Sequence, residues 1–277
     1  MALIQMNLMS KSLLRTVPVS VILPVDKMLF PGDKAREDKP FKTLYLLHGV
    51  FGSYMDWVSG TRAQRYANEH DLAVVMPSGD NAFYVDRADG HNYYGEFVGQ
   101  ELVELTRKIF PLSHRREDTF LGGLSMGGYG ALRNGLKYGD TFGAIVALSS
   151  TMIVDDIESR PEEGSFIPGT RRFGEACFGD LSKVRGSDLD PYYLIQKRKE
   201  LGLAIPDIYM ACGTEDSLLP ENRRFRDYLR EQNVGLTYEE SPGGHSWDFW
   251  DFHIRKAIQW LPTEGKRLGM DSGNVGI

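Results

Sequence analysis

Residues 119–132, TFLGGLSMGGYGAL, set one serine among five glycines. A serine hydroxyl is a weak nucleophile at neutral pH and becomes a useful one only beside a base that a carboxylate orients. Gly123 and Gly127 flank Ser125 in the spacing G-x-S-x-G. That spacing lets a strand turn sharply into a helix, lifting the hydroxyl clear and aiming the next amide, that of Met126, at the same space. The chemistry it suits is acyl transfer. So short a string also arises by chance, so its partners must decide the reading.

In the strand-to-helix version of this arrangement the chain order is serine, acid, histidine. MACGTEDSLLP places Asp216 just past an apolar run, and EESPGGHSWDFW places His245 in a glycine-bearing loop ahead of a helical pattern. Glu215 is the neighbouring alternative to Asp216. The other histidines fit less well. His114 and His70 read as solvated, His253 as part of a helix face, and His91 precedes the strands that set the order. His48, in LLHGVFGSYMDW, reads as a structural hydrogen-bonder. The useful group of its loop is a backbone amide, that of Val50 with Phe51 as the alternative, which with Met126 would hold the charge developing on a carbonyl oxygen.

These residues need a scaffold that brings them to one edge. Short apolar runs at 43–49, 72–79, 119–123, 143–150, 205–213 and 236–241 end in glycine, proline or serine, and most precede a stretch with helical spacing. This is an α/β pattern, a mostly parallel central sheet with helices on both faces. Residues 13–24 alternate enough for an antiparallel edge strand, and helices are expected near 58–69, 96–109, 126–138, 221–232 and 248–261. Between Thr151 and Leu203 the alternation stops. That stretch carries Phe166, Phe173, Phe178, Tyr192 and Tyr193 and is expected to form a small cap over the crevice where ligands bind open sheets. A single domain spanning 1–277 follows, with a loosely ordered tail after about 263.

Composition excludes some functions. The chain of 277 residues has 32 basic and 38 acidic side chains, a net charge of −6, and no basic stripe to track a phosphate backbone. Nucleic acid is not an expected partner. No apolar run approaches the ~20 residues of a membrane span, and the N-terminal stretch lacks a signal-peptide pattern, so a cytoplasmic location is expected. Cys177 and Cys212 read as reduced thiols. No histidine, cysteine and carboxylate cluster has metal-ligand spacing, and no metal or other cofactor is expected. The expected partner is a small-molecule ester; a homo-oligomer stays open.

LLHGVFGSYMDW, GLSMGGYGAL, CGTEDSLL with NRRF, and GGHSWDFW together resemble the esterase D and tributyrin-esterase-like branch of the α/β-hydrolases, over residues of about 12 to 262. The resemblance implies an α/β-hydrolase fold and carboxylester hydrolysis with Ser125, Asp216 and His245 as the triad. Short-chain acyl esters are the expected substrates. Alternatives are an acetyl or feruloyl esterase of plant-cell-wall oligosaccharides, an S-formylglutathione hydrolase, or a non-catalytic hydrolase-like binding module. MPSGDNAFYVD is similar to the tributyrin-esterase segment and so puts Phe83 and Tyr84 near the mouth of the site. Phe51, Trp57, Tyr129 and Trp247 are expected to wall a short acyl pocket with rings of the cap.

Overall fold

The computed structural model describes residues 1–271 and Val275. In chain order, β1 (Ala2–Ser10), β2 (Arg15–Leu23) and β3 (Thr43–Leu47) lead to the helices α1 (Asp56–Gly60) and α2 (Ala63–Glu69), then to β4 (Ala73–Pro77). A two-residue ladder, β5 (Asp86–Arg87) with β6 (Asn92–Tyr93), precedes a helix that runs through α3 (Tyr94–Glu96), a π-turn at Phe97–Glu101 and α4 (Leu102–Ile109). Next come β7 (Thr119–Leu124), α5 (Met126–Lys137) and β8 (Ala144–Leu148). The expected cap region contributes α6 (Arg171–Phe178) and α7 (Pro191–Glu200). The chain closes with β9 (Asp207–Gly213), α8 (Leu219–Glu231), β10 (Leu236–Ser241) and α9 (Trp247–Trp260).

Among the described residues, eight strands form one sheet in the order β1-β2-β4-β3-β7-β8-β9-β10, parallel from β4 to β10 and antiparallel at β1 and β2. Side chains alternate between two cores, as a period of two requires. Tyr45 and Leu47 of β3 face α4, α5, α7 and α8, while Leu44 and Leu46 face α1, α2 and α9. β3, β4, β7 and β8 are buried at every position. Strands covered on both faces must be apolar throughout, which is why these read as unbroken runs.

Two sequence expectations are corrected here. Residues 13–24 do not form the edge: β2 lies second, and β1, unforeseen, flanks it. The helix expected at 58–69 breaks at Thr61, whose hydroxyl donates to the Trp57 carbonyl and accepts from the Ala63 amide. Contacts of the tail after 263 reach as far as Met270. The Arg267 guanidinium pairs with Asp71 at 3.0 Å, and the Met270 amide donates to the Met28 carbonyl. Residues 272–274, 276 and 277 of that tail lie outside the described residues.

His253 on α9 is fully buried between Tyr209 and Ser241, and burial pulls its imidazole down to about 4. The unfolded chain therefore binds more protons between pH 6.5 and 4, so stability from this site is complete above 6.5 and is lost as pH falls. Glu221 acts oppositely. Burial raises it to about 8, so its contribution is present at low pH and is lost as pH rises through 8. A His253→Gln comparison separates the two: the wild-type stability advantage over the variant is expected to shrink from pH 6.5 to 4 in urea melts. An advantage constant over that range contradicts the assignment.

Candidate active site

Ser125 occupies the turn between β7 and α5 with φ 53° and ψ −118°, a left-handed conformation that a residue with a side chain adopts only under constraint. The constraint is backbone crowding. A Cβ on Gly123 would lie 2.3 Å from the Gly127 carbonyl oxygen, and one on Gly127 would lie 2.5 Å from that of Leu47. Neither neighbour is a side chain that could move aside. The turn is anchored by Ser125 N–H to the Leu148 carbonyl and by Thr151 N–H to the Ser125 carbonyl. The Met126 amide begins α5, where amides have no partner within the helix and the dipole favours negative charge.

Three loops at the carboxyl ends of β7, β9 and β10 bring the sequence-selected side chains together. His245 Nδ1 lies 3.0 Å from Asp216 Oδ2, and His245 Nε2 lies 3.0 Å from Ser125 Oγ. The carboxylate can only accept, so Nδ1 carries the proton and Nε2 is left to accept from the serine hydroxyl. Asp216 is buried, which works against its charge. Hydrogen bonds from His245 and from the Leu218 amide outweigh burial and hold the carboxyl below its ordinary value. Glu215, the alternative acid, does not reach His245. Its carboxylate takes the Gly243 amide and the Thr214 hydroxyl, which fastens the loop carrying the histidine.

Residues not anticipated from sequence support this chain. The Trp250 indole meets the His245 ring edge-on at 4.8 Å, and its N–H donates to Ser149 Oγ. Asn222, fully buried on α8, accepts from the Ser150 amide and donates to the Ser150 carbonyl, pinning the loop after β8. Asn81 Oδ1 accepts the Phe51 amide at 2.7 Å, which engages the alternative oxyanion donor with a side chain. His48 is held by both nitrogens, Nδ1 donating to the Gly49 carbonyl and Nε2 accepting the Gly79 amide. Burial pulls its imidazole below the ordinary histidine value, outweighing the Gly49 hydrogen bond, which raises it.

The pocket candidates divide. Trp57, Phe83, Tyr84 and Tyr129 are exposed by no more than 3%. Trp57 donates to the Leu47 carbonyl, Tyr84 to that of His48 and Tyr129 to that of Leu189. Phe83 packs against Tyr129, Phe173 and Phe178. Trp247 is half-buried over Trp57, and Phe51 is 73% exposed with φ 67°. In the region expected to be a cap, Phe178 is core, Tyr192 packs on Phe225 and Tyr228, Tyr193 is half-buried, and Phe166 is exposed. His70, read as solvated, is buried beside Thr263 Oγ1, and His114 is exposed.

Cys177 and Cys212 are buried free thiols, both pushed upward by burial. Among the described residues no group of three or more His, Cys, Asp or Glu could hold a metal ion, and no helix is long and apolar enough to cross a membrane.

The family model described as "Putative esterase" matches residues 10–261. An acetyl esterase of Caldicellulosiruptor saccharolyticus is 45% identical over 261 residues, covering 94% of this chain and 98% of that protein. The substrate-bound structure of the Staphylococcus aureus fluorophosphonate-binding serine hydrolase F is 38% identical, with a TM-score of 0.81 over 94% of this chain and 98% of that one. The apoenzyme of an S-formylglutathione hydrolase from Staphylococcus aureus is likewise 38% identical, with a TM-score of 0.79 over the same 94% and 98%. A serine-bearing turn on a mostly parallel sheet and these matches lead to one conclusion: the chain belongs to the Esterase family, as a carboxylic ester hydrolase with the α/β-hydrolase fold.

Proposed function

We propose that the protein is a serine esterase of short-chain acyl esters, acetyl esters foremost, in the tributyrin-esterase-like branch of its family. The observation that carries this reading is the continuous chain Ser125–His245–Asp216, with 3.0 Å at each link. His245 takes the Ser125 proton as the oxygen attacks the ester carbonyl. The amides of Val50 and Met126 stabilise the oxyanion, each donor worth about 10²- to 10³-fold. The engagement of the Phe51 amide with Asn81 favours Val50 for that role. His245 then protonates the departing alcohol, and water repeats the sequence on the acyl-enzyme. Asp216 keeps the imidazole in the tautomer that this needs.

The segment 151–203 leaves β8 beside the nucleophile and acts as the cap. Phe51 and Trp247, the pocket candidates that keep open surface, face the acyl group. A second reading is supported by the 38% identity to a protein described as an S-formylglutathione hydrolase. Thioester cleavage would use the same three residues.

A substrate panel tests both. For p-nitrophenyl acetate or butyrate, kcat/KM is expected to exceed that for the octanoate at least about tenfold, because excess methylenes clash in a short pocket. S-Formylglutathione turned over about a hundredfold faster than the acetyl ester would favour the second reading. Failure to hydrolyse any ester or thioester would defeat both.

A further inference from the structure

The two edges of the sheet are built differently. β10, at one end, is a six-residue strand that carries Glu239 and Glu240, paired with Lys256 and with Arg223 and Arg226. Charge on an edge strand discourages pairing with another chain. β1, at the other end, is nine residues long with the sequence ALIQMNLMS, without a charge or a proline. Its outward face shows Leu3, Gln5, Asn7 and Met9, all exposed. Nothing in its own sequence protects it.

Its backbone polar groups are turned outward in a definable set. The Pro18 carbonyl accepts the Ser78 amide, so Pro18 directs its backbone away from β1. Asn7 is the partner of Pro18 in the β1–β2 register. In an antiparallel pair, opposed residues either bond each other or both face away. Asn7 therefore presents its N–H and C=O to the free edge, and by alternation so do Leu3, Gln5 and Met9.

We propose that β1 is a homodimer interface, in which two copies pair antiparallel across this edge with Met6 on the two-fold axis. That register sets Leu3 against Met9 of the second copy and Gln5 against its Asn7, apolar with apolar and amide with amide. Ile4 meets Leu8. The strand is thus complementary to itself, as a two-fold contact requires. The outward set supplies four reciprocally bonded pairs with two hydrogen bonds each, about eight in all. The result is one sheet continuous through both subunits, with the unprotected edges removed and the charged β10 edges outermost. The site at Ser125 lies three strands inward from β2 and takes no residue from the second copy.

Sedimentation equilibrium on the intact protein tests the assembly, and cysteine trapping tests the register. The wild type is expected to be dimeric at about 10 µM. Gln5→Lys with Asn7→Lys sets like charges directly opposite one another and is expected to raise the dissociation constant at least about a hundredfold. Both positions are exposed, and thermal melts of the dilute variant verify its fold. Met6 meets its own copy at a non-bonded position, where Cα atoms lie about 4.5 Å apart, within disulfide range. Met6→Cys is therefore expected to cross-link on mild oxidation and Leu3→Cys to stay unlinked. A wild type that remains monomeric at about 100 µM overturns the proposal. So does a dimer indifferent to the lysines, or one in which Leu3→Cys links as readily as Met6→Cys.

Discussion

Ser125→Ala is expected to lower kcat by about 10⁴- to 10⁶-fold, the range for loss of a serine nucleophile whose partners act as one unit. The variant should still fold. What holds the turn is backbone crowding between Gly123, Gly127 and the Leu47 carbonyl, together with the Ser125 amide bond to Leu148, and none of these involves the hydroxyl. The loss on substitution is one hydrogen bond to His245, worth about 0.5–1.5 kcal/mol. A melting temperature within a few degrees of wild type and activity near background are the paired expectation. A variant that keeps more than about one per cent of kcat would require another nucleophile.

Asp216→Asn comes second, with kcat expected to fall about 10⁴-fold as a wrong imidazole tautomer does in serine proteases. Asp216 Oδ2 is the acceptor that fixes the proton on His245 Nδ1, and an amide NH₂ there would favour the opposite tautomer. Glu215→Gln is the matched control. Glu215 touches Gly243 and Thr214 rather than the imidazole, so its loss should cost less than about tenfold, through a looser loop. Steady-state kinetics on both variants decides between them. A severe Glu215→Gln beside a mild Asp216→Asn would reverse the assignment.

The central strands were legible because burial on both faces leaves little choice but apolar runs, and β3, β4, β7 and β8 are buried throughout. The brought-together side chains were legible because glycine spacing and chain order report local backbone geometry. β1 was not. Its Leu, Met, Gln and Asn content has no β-branched bias beyond Ile4, and it is a strand because β2 offers a ladder. The burial of the aromatic pocket candidates was not legible for a related reason. Trp57, Phe83, Tyr84 and Tyr129 stand near site motifs in the sequence, yet large rings stabilise most by full burial, and their polar tips found carbonyl partners there. Asn81 escaped notice because its contact with Phe51 spans 30 residues and follows no local period. Trp250 lay one helical turn beyond Trp247, within reach of pattern reading, but only the folded loop shows its ring against His245.

Ser125 owes its nucleophilicity in this mechanism to His245 and Asp216, and a fluorophosphonate probe reads that activation, since an activated serine attacks its phosphorus, expels fluoride and is left as a phosphonate ester. After brief exposure at neutral pH, peptide mapping by mass spectrometry is expected to find the adduct on Ser125. Labelling should slow by several orders of magnitude in His245→Ala, whose serine is intact but has lost its base. An adduct at another serine, or equal labelling rates in wild type and His245→Ala, would rule out Ser125 as a nucleophile activated by His245.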